Sequence, residues 1–146
     1  MEITETLYVL DREAWRTWLS LNHSVRREIW LIGGASAPQL PYLDAVEEAL
    51  CFGWIDGIAK KLPDGRLAQR FTPRRPRSHW TELNKERARR LVREGRMTPA
   101  GEAALPDLDV GAFQIAPDIL AALQADPWTW ANFQAFDAAY QRVRVG

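Results

Sequence analysis

Between residues 70 and 80 the chain reads Arg70-Phe-Thr-Pro-Arg74-Arg75-Pro-Arg77-Ser78-His79-Trp80, which places four guanidinium groups within eight positions. Each guanidinium offers a planar fork of donors that matches the oxygens of a phosphate or carboxylate, and it tolerates partial desolvation better than an ammonium does. Pro73 and Pro76 stiffen the run and lower the entropy lost when it is ordered around a ligand. The chemistry served by this pattern is the binding of an anionic group. Trp54, Phe71 and Trp80 lie among these arginines in sequence. Rings beside guanidinium groups can stack on bases or nucleotides, although large aromatics in a small domain are more often core. The chain contains nothing like a ribonucleoprotein motif or a helix-turn-helix, so sequence-specific DNA recognition is not expected.

Charge along the chain favours the same segment. The 146 residues carry 19 Lys+Arg and 19 Asp+Glu, with 47% hydrophobic residues. Residues 1–59 hold 4 basic and 9 acidic side chains, residues 60–96 hold 13 and 4, and residues 97–146 hold 2 and 6. Neutrality is therefore an average of net −5, +9 and −4. Two readings of the basic third stay open: an anion or nucleic-acid site, or pairing with the acidic flanks through Asp44, Glu47, Glu48 or Asp56. Arg87, Arg89, Arg90 and Arg93 are spread around a helix and read as a solvated face that can extend a phosphate-tracking patch.

Asp56, in Trp-Ile-Asp-Gly, either orients Arg70 or Arg74 by a bidentate pair or bonds its own backbone in a turn. An enzyme built from Asp56, Glu47 or Glu48 with the arginines as a clamp is the competing class of function. Cys51 falls near the end of its helix among apolar neighbours, where a thiolate is disfavoured, so it reads as a small buried hydrophobe. His23 and His79 are the only histidines and have no carboxylate at ligand spacing, so neither metal nor cofactor is expected. Gly33-Gly34 and Gly53…Gly57 lack the spacing of a phosphate-binding loop.

The elements that must position these groups follow from periodicity. Thr6–Leu10 reads as a strand and Asp11 as the cap of a helix starting at Arg12, whose apolar face is Ala14, Trp15, Trp18 and Leu19. Glu28–Ile32 is a second strand, stopped by Gly33-Gly34. A helix over 43–52 buries Leu43, Val46, Ala49 and Leu50, leaves Glu47 and Glu48 off that stripe, and ends at Gly53. Residues 54–62 and 66–72 form a hairpin about Pro-Asp-Gly. Ser78 or Thr81 caps an arginine-rich helix to Glu94, and prolines 99, 117 and 127 open helices over 99–105, 117–125 and 127–142.

With Ala49-Leu-Cys-Phe-Gly-Trp-Ile-Asp-Gly57, Arg70–Trp80, Asn84, Arg87 and Gly95-Arg-Met-Thr-Pro-Ala-Gly101 on the page, the chain resembles the YdeI/OmpD-associated, or bacteriocin-protection, family over nearly its whole length. The resemblance implies a stress-protection or binding role associated with an outer-membrane porin, with no reaction to carry over. It adds Asn84 and Arg87 to the candidate site. Members commonly continue with a basic helical stretch past the segment matching Tyr140–Gly146, so this chain is expected to have a shortened C-terminus.

The expected fold is α+β, a small mixed or antiparallel sheet packed with helices and followed by a helical part. Residues 1–96 form the core with its basic hairpin and loop, and 97–146 pack on the same domain. The expected site is Arg70, Arg74, Arg75, Arg77, Ser78, Trp80, Trp54, Asp56, Asn84 and Arg87, in a non-enzymatic binding module for an anionic small molecule, nucleic acid or acidic protein surface. The acidic start has no signal-peptide pattern and no stretch suits a membrane span, so no membrane insertion and a cytoplasmic, reducing setting are expected. Monomer and homodimer both remain open. A dimerising domain is the third class of function, if Trp128, Trp130, Phe133 and Phe136 form an exposed patch.

Overall fold

The computed structural model describes residues 1–34 and 38–146. Asp11 accepts a hydrogen bond from the Ala14 amide at 2.8 Å and opens helix α1 (Arg12–Asn22). Strand β1 before it is shorter than expected, because only Thr6–Leu7 pairs with strand β2 (Ile29–Gly34). Helix α2 (Tyr42–Cys51) leads through Gly53, at φ +75°, into the hairpin of β3 (Trp54–Lys61) and β4 (Arg66–Pro73). Gly33 and Gly34 do not stop β2 but pair with Leu67 and Arg66. The strands lie in the order β1-β2-β4-β3, with β1 parallel to β2 and the other pairings antiparallel, so the sheet is mixed.

Thr81, rather than Ser78, caps helix α3 (Glu82–Arg93) by accepting from the Asn84 amide at 3.1 Å. Helix α4 (Pro99–Ala103) ends two residues early, and α5 (Pro117–Gln124) follows. The helix expected over 127–142 is two, α6 (Pro127–Ala135) and α7 (Ala138–Val145). Phe136 turns extended, and Asp137 caps the next helix through the Tyr140 amide at 2.9 Å. The protein is therefore α+β with a helical C-terminal part. No helix of the described residues is long and apolar enough to cross a membrane.

Side-chain alternation along the strands splits the sheet into two faces. On the face covered by helices, Ile29, Leu31, Phe71 and Trp54 pack with Trp15, Leu19, Val46, Leu50, Trp80 and Leu91 into the main core. Trp30, Ile32 and Ala68 fill the other face beneath Ile3 and Leu62. Ala14 and Leu43, expected on buried stripes, are exposed, since α1 and α2 meet through Trp15 and Ala45, whose carbonyl accepts the Trp15 indole N–H at 2.9 Å.

Every residue of α2 from Ala45 to Cys51 is buried, which overturns the expectation that Glu47 and Glu48 stand off the core. The helix is covered on several sides, and its two carboxylates point between α1 and α3. Glu48 accepts from Arg12 Nε at 3.0 Å and Arg16 Nη1 at 2.8 Å, and it also meets Arg96. Glu47 pairs with Arg90 and with Arg12 at 3.4 Å, and Asp44 takes Arg12 Nη1 at 3.3 Å. A buried carboxylate costs several kcal/mol unless it is paired and hydrogen-bonded, and four guanidinium groups meet that demand here.

The sequence Gly95–Gly101 is tied to the same cluster. Gly95 ends α3 at φ +72°, and Arg96 turns back to Glu48 while its carbonyl accepts Arg16 Nη2 at 2.8 Å. Thr98 caps α4 and donates to the Cys51 carbonyl at 2.5 Å. Gly101 lies so close to that carbonyl that a Cβ would overlap it, so α4 can dock on the end of α2 only without a side chain there.

Burial alone would raise the Glu48 carboxyl, but the hydrogen bonds from Arg16, Arg96 and Arg12 and the charge of Arg96 outweigh it and hold the group below its ordinary 4.5. A depressed carboxylate contributes stability above the unfolded value and loses it as pH falls through the folded one. Glu48→Gln is expected to lower stability by about 2–4 kcal/mol at neutral pH, less than a fully buried pair because the arginines keep part of their surface in water. The variant should also lose part of the wild type's decline in stability below pH 4.5. Urea unfolding of both proteins across that range measures the two effects.

Candidate anion-binding cleft

Strand β4 ends at Pro73, and the Arg74 amide extends its line by donating to Gly53 O at 2.8 Å. The chain then turns over Arg75-Pro76-Arg77-Ser78, with the Ser78 amide on the Arg75 carbonyl at 3.2 Å. Pro76 in second place and Arg77 at φ +59° in third are the pattern of a type II turn, whose third place favours glycine. Arg77 is the one non-glycine residue with positive φ among those described. The turn forms one wall of a cleft of about 510 Å³. Phe52, Trp54 and Trp80 form its floor, and α4 with Leu105 and Pro106 forms the opposite wall.

Arg74 lies across the Trp80 ring, 3.8 Å from guanidinium carbon to ring centroid. Its Nη1 donates to Ser78 Oγ at 2.9 Å and to the His79 carbonyl at 3.2 Å, while its Nε is buried with no partner. Burial pulls this guanidinium below its ordinary value, opposed in part by the charge of Asp56. Among the described residues no carboxylate forms an ion pair with Arg74, Arg75 or Arg77. Of the carboxylates expected to do so, Asp44, Glu47 and Glu48 are held by Arg12, Arg16, Arg90 and Arg96, and Asp56 accepts the Tyr42 hydroxyl. Arg75 and Arg77 are exposed at the rim. The cleft thus has a cationic end with no ion-paired carboxylate among the described residues.

Of the expected site residues, the cleft brings together Arg74, Arg75, Arg77, Ser78, Trp80 and Trp54. Trp54 and Trp80 are also core, 1% and 7% exposed, so floor and core are the same residues. Arg70 is elsewhere: strand alternation turns it to the sheet's other face beside Trp30, where it pairs with Glu28 at 2.5 Å. Asp56 orients neither Arg70 nor Arg74 by a bidentate pair and does not bond its own backbone; it accepts the Tyr42 hydroxyl. Asn84 and Arg87 pair with each other on α3 at 3.0 Å, outside the cleft lining. Arg89 and Arg90 are not a plain solvated face, since Arg89 binds Glu86 at 2.7 Å and the Leu108 carbonyl at 2.9 Å, and Arg90 binds Glu47.

Sequence reasoning missed His23 and the far wall of Ala100, Ala103, Ala104, Leu105 and Pro106. The available signal was the run of small residues around Gly101, which marks a close helix contact. A family model described as "Domain of unknown function (DUF8412)" matches residues 7–104, about two thirds of the chain. The chain belongs to that family. The DUF8412 span runs from β1 to the end of α4, so it contains the basic turn, the aromatic floor and the three alanines of the far wall. No curated protein and no solved structure matches the chain.

The acid–base candidates are committed within the fold. Glu47 and Glu48 sit inside the ion cluster, and burial with the charge of Glu48 pushes the Cys51 thiol up, away from nucleophilic character. A second cavity, of about 270 Å³, lies between the sheet and the start of α2, with Leu31, Leu40, Ala45 and Phe71 in its wall and no charged side chain among the described residues lining it. At its edge the Tyr42 hydroxyl is raised to about 12 by desolvation and by Asp56, with Arg87 opposing. Ultraviolet titration should therefore show one tyrosine near 12, moving back toward 10 in Asp56→Asn.

Proposed function

We propose that the cleft is a binding site for an anionic group and that the protein acts through binding. One observation carries this reading: among the described residues Arg74 is a partly buried cation with an unpartnered Nε and no carboxylate in ion-pair contact, while Asp56, whose charge acts on it, accepts the Tyr42 hydroxyl instead. A guanidinium removed from water without a counter-ion is a costly arrangement, and a phosphate or carboxylate oxygen at Nε relieves it. Arg75 and Arg77 at the rim add long-range attraction for the same charge. The resemblance to the YdeI/OmpD-associated family belongs to this proposal and adds stress protection to it, with the cytoplasm as its compartment. The enzyme alternative loses support because Glu47 and Glu48 are tied up as structural anions and Asp56 accepts the Tyr42 hydroxyl outside the cleft lining.

Inorganic phosphate, titrated by calorimetry or by arginine side-chain NMR shifts, tests the proposal. The double variant Arg75→Ala/Arg77→Ala changes only exposed side chains and should keep the wild-type melting temperature while weakening phosphate binding by about tenfold, in line with one or two charge-assisted contacts. Unchanged phosphate affinity in that variant, or no phosphate binding by the wild type, overturns the reading.

A second reading rests on the last helices. Trp128 is 75% exposed, and Phe136 and Tyr140 are also exposed, although Phe133, expected in the same patch, is buried. Exposed aromatic side chains of this kind, with Phe136 and Tyr140 in contact at 4.5 Å between ring centroids, suit association with a second copy. Light scattering should then give a dimer mass that Trp128→Ala returns to monomer; a monomer at every concentration removes this reading.

A further inference from the structure

Resting on the proposed anion site, we infer that the ligand is a small amphipathic anion: one phosphate or carboxylate group joined to a flat aromatic or short apolar body. The cleft is divided in its chemistry. At one end Arg74, Arg75, Arg77 and Ser78 supply donors and positive charge. The remainder is apolar, with Phe52 and Trp54 below and Ala100, Ala103, Ala104 and Leu105 opposite. No Asp or Glu side chain lines it among the described residues.

Three features fit a body of limited thickness. The α4 wall carries only methyl groups toward the space, because Gly101 lets this helix approach α2 closely and its alanines leave the gap open. Trp80 already carries the Arg74 guanidinium on its face at 3.8 Å, so the anion-binding edge of that fork and the aromatic floor are adjacent. His23 also lines the cleft and packs on Phe52 with ring centroids 5.3 Å apart, which adds another flat ring to the lining. A nucleic-acid strand makes a different demand, since a tracking groove needs positive charge along the whole path of the backbone. Here the charge is confined to one end, and the wall facing it is hydrocarbon.

Calorimetric titration with 1-naphthyl phosphate, inorganic phosphate and 1-naphthol separates the two parts of the site. Naphthyl phosphate should bind about tenfold or more tighter than inorganic phosphate, the scale expected for moving a bicyclic ring out of water. Ala103→Trp fills the cleft from an exposed position at the end of α4; it should bring naphthyl phosphate down to the affinity of inorganic phosphate and leave the latter unchanged. Arg75→Ala/Arg77→Ala should weaken both anions alike. Equal affinities for the two phosphates, both lost in the arginine variant, overturn the amphipathic ligand and leave the anion site standing. Binding of neither phosphate overturns both. Tight naphthyl phosphate binding that Ala103→Trp does not reduce also overturns the inference, because the ring is then held outside the cleft.

Discussion

Two carboxylates buried on one helix organise this fold. Glu48, with none of its surface exposed, is acceptable inside the protein only because Arg12, Arg16 and Arg96 converge on it, and Glu47 needs Arg90 in the same way. Those arginines come from α1, from α3 and from the turn after α3, so satisfying one helix fixes the placement of its neighbours. Arg96 carries the constraint furthest. Once it is bound to Glu48, the chain behind it must pass the end of α2, where Thr98 and Gly101 meet the Cys51 carbonyl and seat α4. The far wall of the cleft thus follows from a charge requirement on the other side of α2.

The same requirement decides which arginines remain available. The acidic first third satisfies its charge with Arg12 and Arg16 from its own span and with Arg90 and Arg96 from the basic third. The acidic last third spends much of its charge on backbone, since Asp109, Asp126 and Asp137 each cap a helix or helical turn. Among the described residues neither flank places a carboxylate in ion-pair contact with residues 74–77, and only the charge of Asp56 acts on Arg74. A chain with zero net charge therefore carries a local cationic end, and its neutrality comes from groups committed elsewhere.

Secondary structure was legible wherever a local rule governed it. Asp11 as a cap, Gly53 and Gly95 as helix ends, and the Pro-Asp-Gly hairpin all depend on near neighbours in sequence, while the choice between Ser78 and Thr81 as the cap of α3 did not follow from them. Burial of α2 was not legible, because periodicity assumes one wet face and this helix is covered on several sides. Arg70 was misplaced for a related reason. Its neighbours in sequence suggested one basic run, but strand alternation sends it to the opposite face from Phe71, where Glu28 is waiting. The break at Phe136–Asp137 was hidden because Asp137 lies within an apolar, helix-like run and shows itself as a cap only through the backbone it bonds.

Arg77 brings fold and site together. A positive φ on a side chain of this size costs on the order of 1 kcal/mol, which glycine at the same place would avoid. The fold recovers nothing visible from the guanidinium: it is exposed, and no carboxylate of the described residues pairs with it. Pro76 fixes the turn on one side and the Ser78 amide closes it on the other, so the geometry does not depend on having arginine in third place. What the side chain does supply is a third cation lining a cleft whose most buried cation, Arg74, has an unpartnered Nε. Strain with no structural return, set beside a partly buried guanidinium whose Nε has no partner, supports the proposed ligand site.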